Sequence, residues 1–273
     1  MAATVDLLGY TDLYALAERQ QWSAQAIDLA QDRRDWEERL TGRQRDRRLA
    51  GLAAFFVGEE RVATELGPMM RACPREDMRL FLCTQIGDEA RHARLFDRFH
   101  EEVAGQGDGT GERLARSREH VGAAFSALFD GMLAERVNRL AVAPDDLGSL
   151  VEAVTIYHMV IEGMLGVAMQ QFLVDTYNRH EILPGLVSGL ELVARDEHRH
   201  IAFGARFLAD VASGEPRHSA AVRRVLAEAA PLALDAMSEA IGRGLGQAGA
   251  QTRAFAERAL ERRMTAIGLP LSP

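Results

Sequence analysis

Apolar residues recur at intervals of three to four along most of this chain, and the strict alternation that marks a β-strand is nearly absent. Within the stretch from Arg43 to about Ala72 the apolar stripe consists of Leu49, Leu52, Phe55, Phe56, Val62, Ala63 and Leu66. Directly before it, Thr41 and Gln44 form a Thr-x-x-Gln pattern, which is typical of a capping box at a helix N-terminus. The pattern therefore predicts a long helix that begins after Thr41.

The same spacing predicts helices along the rest of the chain, and a glycine-rich loop at 104–111. An Ala-Pro-Asp-Asp segment at 143–146 is expected to cap the helix that follows it. The other predicted helices run over about Ser23–Leu40, Pro74–Val103, Glu112–Leu140, 147–178, 184–212, His218–Leu245 and Gln247–Ile267. We expect an all-α bundle of about seven long helices, forming one domain over residues 1–273.

Composition narrows the class of protein. The chain has 273 residues, of which 47% are hydrophobic and 26% charged, and its net charge of −8 comes with no basic block that would bind nucleic acid. Cys73 and Cys83 form no disulfide framework. We find no signal peptide and no uninterrupted apolar stretch as long as a membrane span. These features predict a cytoplasmic enzyme or binding protein.

One charged pentad, Asp-Glu-x-x-His, occurs twice inside apolar helical sequence, at 88–92 and at 196–200. Residues three apart share a helix face, so Glu89 with His92, and Glu197 with His200, each present a carboxylate and an imidazole in one direction. A single Glu-x-x-His is common on helix surfaces. Two of them on separate apolar helices favour a buried site.

Two further glutamates lie in apolar stripes of other predicted helices. Glu59 follows Phe55 and Phe56, and Glu162 lies among isoleucine, leucine and methionine residues. The set becomes four glutamates and two histidines on four helices, which is the signature of a ferritin-like dimetal carboxylate site. Four carboxylates balance two divalent cations, and these ligands suit manganese and iron. The alternative is a structural bundle in which the glutamates and histidines pair with arginines.

The aspartate of each pentad directly precedes a predicted glutamate ligand. Because metal-bound histidines usually donate their second ring N–H to a carboxylate, we expect Asp88 and Asp196 each to orient the histidine of the opposite pentad. The alternative is a solvated network with Arg91, Arg195 or Arg199.

Four segments, "FFVGEERVATEL", "GDEARHARLF", "YHMVIEGMLG" and "RDEHRHIAFG", resemble the ribonucleotide-reductase-small-subunit-like ligand-binding oxidases over roughly residues 20–210. The resemblance implies a ferritin-like fold, a manganese–iron or di-iron site and a bound long-chain fatty acid whose carboxylate reaches the metals. It also implies O2-dependent formation of a valine–tyrosine ether cross-link, with Val62 and Tyr157 at the matching positions. Helical spacing supports Val62, three residues after Glu59. It supports Tyr157 less well, since His158 shares the face of Glu162 better on an ideal α-helix.

A true ribonucleotide reductase small subunit is the nearest rival. Many such subunits carry a radical tyrosine four residues after the first histidine ligand, where this chain has Phe96, and no tyrosine follows Tyr177. A non-catalytic iron- or fatty-acid-binding bundle is a further alternative. Gly163 and Gly166 either open an acyl-chain pocket or permit close helix packing. The resemblance implies a homodimer, and the sequence leaves open the choice of Mn/Fe or Fe/Fe and the electron donor.

Overall fold

The structure is a computed structural model that describes residues 7–107, 109–212, 214–241 and 246–271. Every regular element within these ranges is helical, so the all-α prediction is confirmed. In the first part of the chain α1 spans Tyr10–Arg19, and a 3₁₀ turn at Ala24–Ala26 leads to α2 at Ala30–Arg34, which continues as a π-helical turn over Asp35–Arg39. The long helices α3, Gly42–Ala72, and α4, Glu76–Arg98, follow, and α4 ends in a π-helical turn at Phe99–Val103.

The second part of the chain contains six further helices. The short α5 covers Thr110–Arg118. Helix α6 starts at Ala123–Ser126, passes through a π-helical segment at Ala127–Leu133 and continues over Ala134–Val142. Helix α7 is α-helical over Leu147–Val154, π-helical over Thr155–Gly166 and α-helical again over Val167–His180. Helices α8, α9 and α10 span Pro184–Val211, Pro216–Ile241 and Gly246–Ala266.

The local start signals were predicted correctly. Thr41 Oγ1 accepts a hydrogen bond from the Gln44 backbone N–H, and the Gln44 side chain accepts one from the Thr41 N–H, which together form the capping box of α3. Asp146 caps α7 through the backbone N–H groups of Gly148 and Ser149. Such contacts depend only on neighbouring residues.

The predicted helix over Ser23–Leu40 is wrong as a continuous element, and α1 before it was not predicted. Asp32 is buried and accepts hydrogen bonds from the backbone N–H groups of Gly185 and Leu186, at 2.8 and 2.7 Å. It therefore caps the start of α8 from a distant part of the chain. This tertiary contact favours a short helix between two breaks over one long helix.

The predicted helix over Glu112–Leu140 is also wrong, because the chain breaks between α5 and α6. At the break, a Cβ on Gly122 would collide with the side chain of Glu239 from α9. The same carboxylate accepts a hydrogen bond from the backbone N–H of Ala124, at 3.1 Å, and so satisfies the start of α6. A residue from a distant helix fixes this boundary.

The core forms one large cluster of apolar side chains that extends from Tyr10 to Leu269. Helix α3 packs along α4, and α7 contacts α8, α9 and α10. Contrary to the sequence expectation, the helical stretch Leu147–His180 is long and apolar enough to cross a membrane, with a mean hydropathy of 1.4 in its most apolar window. However, 83% of that window is buried inside the protein, as is usual for a core helix.

Candidate dimetal site

Four helices bring the six predicted carboxylate and imidazole side chains together in the core. Helix α3 supplies Glu59, α4 supplies Glu89 and His92, α7 supplies Glu162, and α8 supplies Glu197 and His200. All six side chains are buried. Burying this many ionisable groups without a counter-ion is costly, so the cluster needs positive charge.

The six side chains form two overlapping groups, in each of which the candidate ligand atoms lie within 4.8 Å of one another. One group consists of Glu59, Glu89, His92 and Glu197, and the other of Glu89, Glu162, Glu197 and His200. Glu89 and Glu197 belong to both groups. The sequence did not predict this sharing; if each group held a cation, the two Glu-x-x-His carboxylates could contribute to both.

The histidines face the carboxylates through their Nδ1 atoms. His92 Nδ1 lies 3.4 Å from a Glu59 oxygen and 3.3 Å from a Glu89 oxygen. His200 Nδ1 lies 3.1 Å from a Glu89 oxygen and 3.4 Å from a Glu162 oxygen. Both imidazoles therefore present a nitrogen lone pair or N–H to the same small volume.

Several buried atoms of the cluster have no hydrogen-bond partner among the described residues. They are Nδ1 of His92, Nδ1 of His200, Oε2 of Glu162 and Oε2 of Glu197. Buried polar atoms are normally satisfied, and these converge on one another. Carboxylate and imidazole donors with this arrangement fit two divalent cations of the manganese and iron type.

The ionisation of the cluster follows from burial and close charges. Burial raises the pKa values of Glu59 and Glu162 well above the ordinary range. Burial opposes ionisation of Glu89 as well, but its close contact with His200 and His92 holds the pKa of that carboxyl well below its usual value. The facing carboxylates raise the pKa values of both histidines despite burial. The raised pKa values of the two glutamates and the two histidines thus favour bound protons in the cluster, which two divalent cations would replace.

Each pentad aspartate contacts the histidine of the other pentad, as the sequence predicted. His92 Nε2 lies 3.3 Å from Asp196 Oδ2, and His200 Nε2 lies 3.2 Å from Asp88 Oδ2. Both aspartates are buried, and contacts with the histidines help to keep their pKa values low in spite of burial. Arg199 donates hydrogen bonds of 2.8 Å to both carboxylates. The predicted arginine network therefore exists alongside the histidine contacts: Arg199 is buried, whereas the side chains of Arg91 and Arg195 are 14% and 37% exposed.

Two residues near the site were missed by the sequence reasoning. Trp22 Nε1 donates a 2.6 Å hydrogen bond to Asp196, and no local pattern marks this contact across 174 residues. Gln85 Nε2 lies 2.9 Å from Glu162 Oε1, 3.1 Å from the Tyr157 hydroxyl and 3.3 Å from Glu89 Oε1. Gln85 could have been found, since it precedes Glu89 by four residues and so shares its helix face.

The structure places Tyr157 at the carboxylate cluster. Its hydroxyl donates a 2.7 Å hydrogen bond to Glu89 Oε1, and the ring is fully buried. Tyr157 and Glu162 both lie in the π-helical part of α7, where i→i+5 hydrogen bonds bring residues five apart onto one face. The objection from ideal α-helical spacing therefore does not apply. His158 instead directs Nε2 to Gln85 Oε1, at 3.2 Å, and burial lowers its pKa to about 3.

An apolar cavity of about 600 Å³, including its open mouth, extends from the carboxylate cluster between α3, α6, α7 and α9. Val62 and Tyr157 both line it, together with Glu59, Glu89, Glu162 and Glu197. Its apolar walls include Phe55, Phe125, Phe129, Ile161, Leu165 and Met169. The cavity has the polar end and apolar body of a site for an amphiphilic small molecule.

The two glycines predicted for a pocket have different environments. Gly166 lines the cavity. Gly163 does not; a Cβ there would lie 3.3 Å from Cδ of Arg263 on α10, so this glycine permits close helix packing. Phe96, at the position considered for a radical tyrosine, stacks on Phe55 with ring centroids 5.5 Å apart.

Comparison with known proteins agrees with this geometry. Residues 9–271 match the family model described as ribonucleotide reductase, small chain. Solved structures of R2-like ligand-binding oxidase variants with an anaerobically reconstituted Mn/Fe cofactor are similar throughout. One is 27% identical with a TM-score of 0.84 and covers 95% of this chain and 93% of its own. Another is 27% identical with a TM-score of 0.85 and covers 96% of this chain and 94% of its own.

A further variant of the same type of oxidase, with an aerobically reconstituted Mn/Fe cofactor, is 26% identical with a TM-score of 0.83 over 95% of this chain and 93% of its own. The helical bundle, the buried carboxylate and histidine cluster and the family match all agree. This chain belongs to the ribonucleotide reductase small-chain family and is an oxidoreductase with the fold of the R2-like ligand-binding oxidases.

Proposed function

We propose that this protein is a dimetal oxidase that uses O2 for a two-electron C–H oxidation. The metal ligands are the six side chains that converge in the core: Glu59, Glu89, His92, Glu162, Glu197 and His200. The similar oxidases carry Mn/Fe cofactors, which favours Mn/Fe here, with Fe/Fe as the alternative. When bound, the two metals supply dioxygen binding and two of the four electrons that reduce it to water.

The internal target of the oxidation is the pair Val62 and Tyr157. The Val62 Cβ–H and Tyr157 O–H bonds break, a Cβ–O ether bond forms, and the two hydrogens with two electrons pass to dioxygen. The observation that carries this proposal is the 2.7 Å hydrogen bond from the Tyr157 hydroxyl to Glu89. It directs the phenolic O–H at Glu89, a carboxylate that belongs to both groups, and Val62 lines the same cavity.

The surrounding residues prepare this pair for reaction. Gln85 donates toward the Tyr157 oxygen and so restricts rotation of the hydroxyl. Burial raises the pKa of Tyr157 well above its usual value, so the phenol remains protonated until the oxidation. Phe55, Phe56 and other apolar side chains exclude water from the carboxylate cluster.

We propose that the cavity beside this pair holds a long-chain fatty acid. The cavity has carboxylates only at its inner end, and two divalent cations there would attract a ligand carboxylate that the glutamates alone would repel. Apart from Tyr157 and Gln170, its remaining walls are apolar and match an acyl chain. Extraction of the purified protein with organic solvent, followed by mass spectrometry, should yield close to one fatty acid per chain, and none would contradict the ligand proposal.

Peptide mass spectrometry tests the cross-link. Protein loaded with Mn(II) and Fe(II) and exposed to air should yield the peptides around Val62 and Tyr157 joined, with the mass of two hydrogens lost. Tyr157→Phe should abolish the product, whereas Tyr177→Phe, at another buried tyrosine, should retain it. Separate peptides together with no O2 consumption would contradict the oxidase and favour a non-catalytic metal or fatty-acid carrier.

The assembly and location of the protein belong to the same proposal. We expect a homodimer in the cytoplasm that takes electrons from an external donor and acts on a lipid-like molecule. Sedimentation of the metal-loaded protein should give twice the 30.0 kDa chain mass. A monomer at micromolar concentration would contradict the dimer and leave the oxidase proposal intact.

A further inference from the structure

A second cleft lies between α1, α7, α8 and α10. It measures about 1570 Å³, including its open mouth. Its apolar wall includes Leu13, Leu16, Val167, Val174 and Phe255. None of the six carboxylate and imidazole side chains of the dimetal site lines it.

Cationic side chains dominate the polar part of this cleft. They are Arg195, Arg199, Arg262 and Arg263, and Glu191 is the single acidic residue among the lining side chains. The chain as a whole carries a net charge of −8, so the excess of cationic over acidic side chains in this cleft is opposite in sign to the whole chain. A cleft with one sign of charge and apolar walls attracts ions of the opposite sign.

Two arginines of α10, Arg262 and Arg263, have no ion-pair partner within the part of the chain that the structure describes. Neither Arg262 nor Arg263 has a carboxylate oxygen within 4.0 Å, and neither makes a side-chain hydrogen bond there. At the floor of the cleft, Arg199 is already paired with Asp88 and Asp196 at 2.8 Å, so the free charge of the cleft lies on α10. Arg263 is half-buried, and a half-buried cation with no ion pair attracts an anion from outside the chain.

We propose that this cleft binds an anionic amphiphile with a phosphate head group and an alkyl tail. Arginine forks bind phosphate through paired hydrogen bonds, and Arg262 and Arg263 on the same helix offer two such forks beside His198. The tail lies along Leu13, Leu16 and Phe255. Gln170 of α7 lies in the wall of both this cleft and the fatty-acid cavity, but none of the dimetal-site carboxylates lines the cleft.

Titration of the Mn/Fe-loaded protein with dodecyl phosphate, below its micelle-forming concentration, tests the proposal. Calorimetry should show one molecule bound per chain. Inorganic phosphate should bind at least about tenfold more weakly, because it lacks the tail, and dodecyltrimethylammonium should not bind. Equal binding of the cationic amphiphile, or of inorganic phosphate, would contradict recognition of a phosphate amphiphile.

Substitutions locate the bound molecule. Arg263→Gln and the exposed Arg262→Gln should each weaken dodecyl phosphate binding about tenfold, the effect of one charge-assisted hydrogen bond. Arg253→Gln is the matched control, since Arg253 lies on the same helix, is exposed and pairs with Glu257 at 3.2 Å. Ala54→Phe narrows the fatty-acid cavity and should leave binding unchanged. No binding, or binding lost in Ala54→Phe but kept in Arg262→Gln and Arg263→Gln, would overturn the proposal.

Discussion

His92 Nε2 lies 3.3 Å from Oδ2 of Asp196, a residue 104 positions later in the chain. The reciprocal contact joins His200 to Asp88 at 3.2 Å. These crossed contacts hold each imidazole with its Nδ1 directed at the carboxylate cluster. Arg199 donates a hydrogen bond to each of the two aspartates. The two pentads therefore act as one unit, in which each half orients a group of the other.

Asp196→Asn should lower metal affinity about 10- to 100-fold, because an amide orients His92 less strongly than a carboxylate and increases its basicity less. The affinities for Mn(II) and Fe(II) can be measured by competition with a metal-binding dye under anaerobic conditions. Asp97→Asn is a matched control, since Asp97 is also buried but pairs with Arg113 at 2.7 Å, away from the cluster. An equal loss of metal affinity in Asp196→Asn and Asp97→Asn would contradict an orienting role for Asp196.

Gln85→Leu should reduce the yield of the Val62–Tyr157 cross-link severalfold while both metals still bind. The substitution removes the amide that donates toward the Tyr157 hydroxyl and Glu162, and it leaves all six proposed ligands in place. Quantitative peptide mass spectrometry and metal analysis on the same sample separate the two effects. Gln171→Leu, at an exposed glutamine of α7, should change neither quantity. A normal cross-link yield in Gln85→Leu would contradict the positioning role.

Metal affinity should rise with pH. Burial raises the pKa values of Glu59 and Glu162, so these carboxyls retain protons to higher pH than ordinary glutamates, and a cation must displace them. Each proton released makes affinity rise about tenfold per pH unit below the pKa of its group. Titration in weakly buffered solution should therefore show acidification when metal is added, and Glu162→Gln should release fewer protons. A pH-independent affinity would contradict this account.

His100 should make the protein less stable in mild acid. Burial lowers the pKa of its imidazole from the usual 6.5 to about 4. As pH falls, the unfolded chain therefore takes up this proton before the folded protein does. The contribution of neutral His100 to the free energy of unfolding is complete above about pH 6.5. It is lost progressively toward pH 4, by about 3 kcal/mol in total. In urea unfolding, the free energy of unfolding of His100→Leu should fall less between pH 7.5 and 4.5 than that of the wild-type protein. His180→Leu, at an exposed histidine, should retain the wild-type loss.

Much of the fold could be predicted because it depends on local periodicity. The bounds of α3, α4 and α8 agree with the apolar spacing, and the capping box of Thr41 and Gln44 forms as expected. The errors occur where a distant residue determines the local structure. Asp32 caps α8 and interrupts the predicted first helix, and Glu239 occupies the space beside Gly122 at the break before α6.

The sequence by itself determined which side chains meet at the site, because three-residue helical spacing fixes that Glu89 and His92 share a face, as do Glu197 and His200. Only the tertiary structure decided that Glu89 and Glu197 belong to both groups. It also decided that Tyr157 reaches Glu89, through the π-helical segment of α7. The local sequence does not predict whether a segment forms i→i+4 or i→i+5 hydrogen bonds, because this depends on how the helices pack around the buried carboxylates.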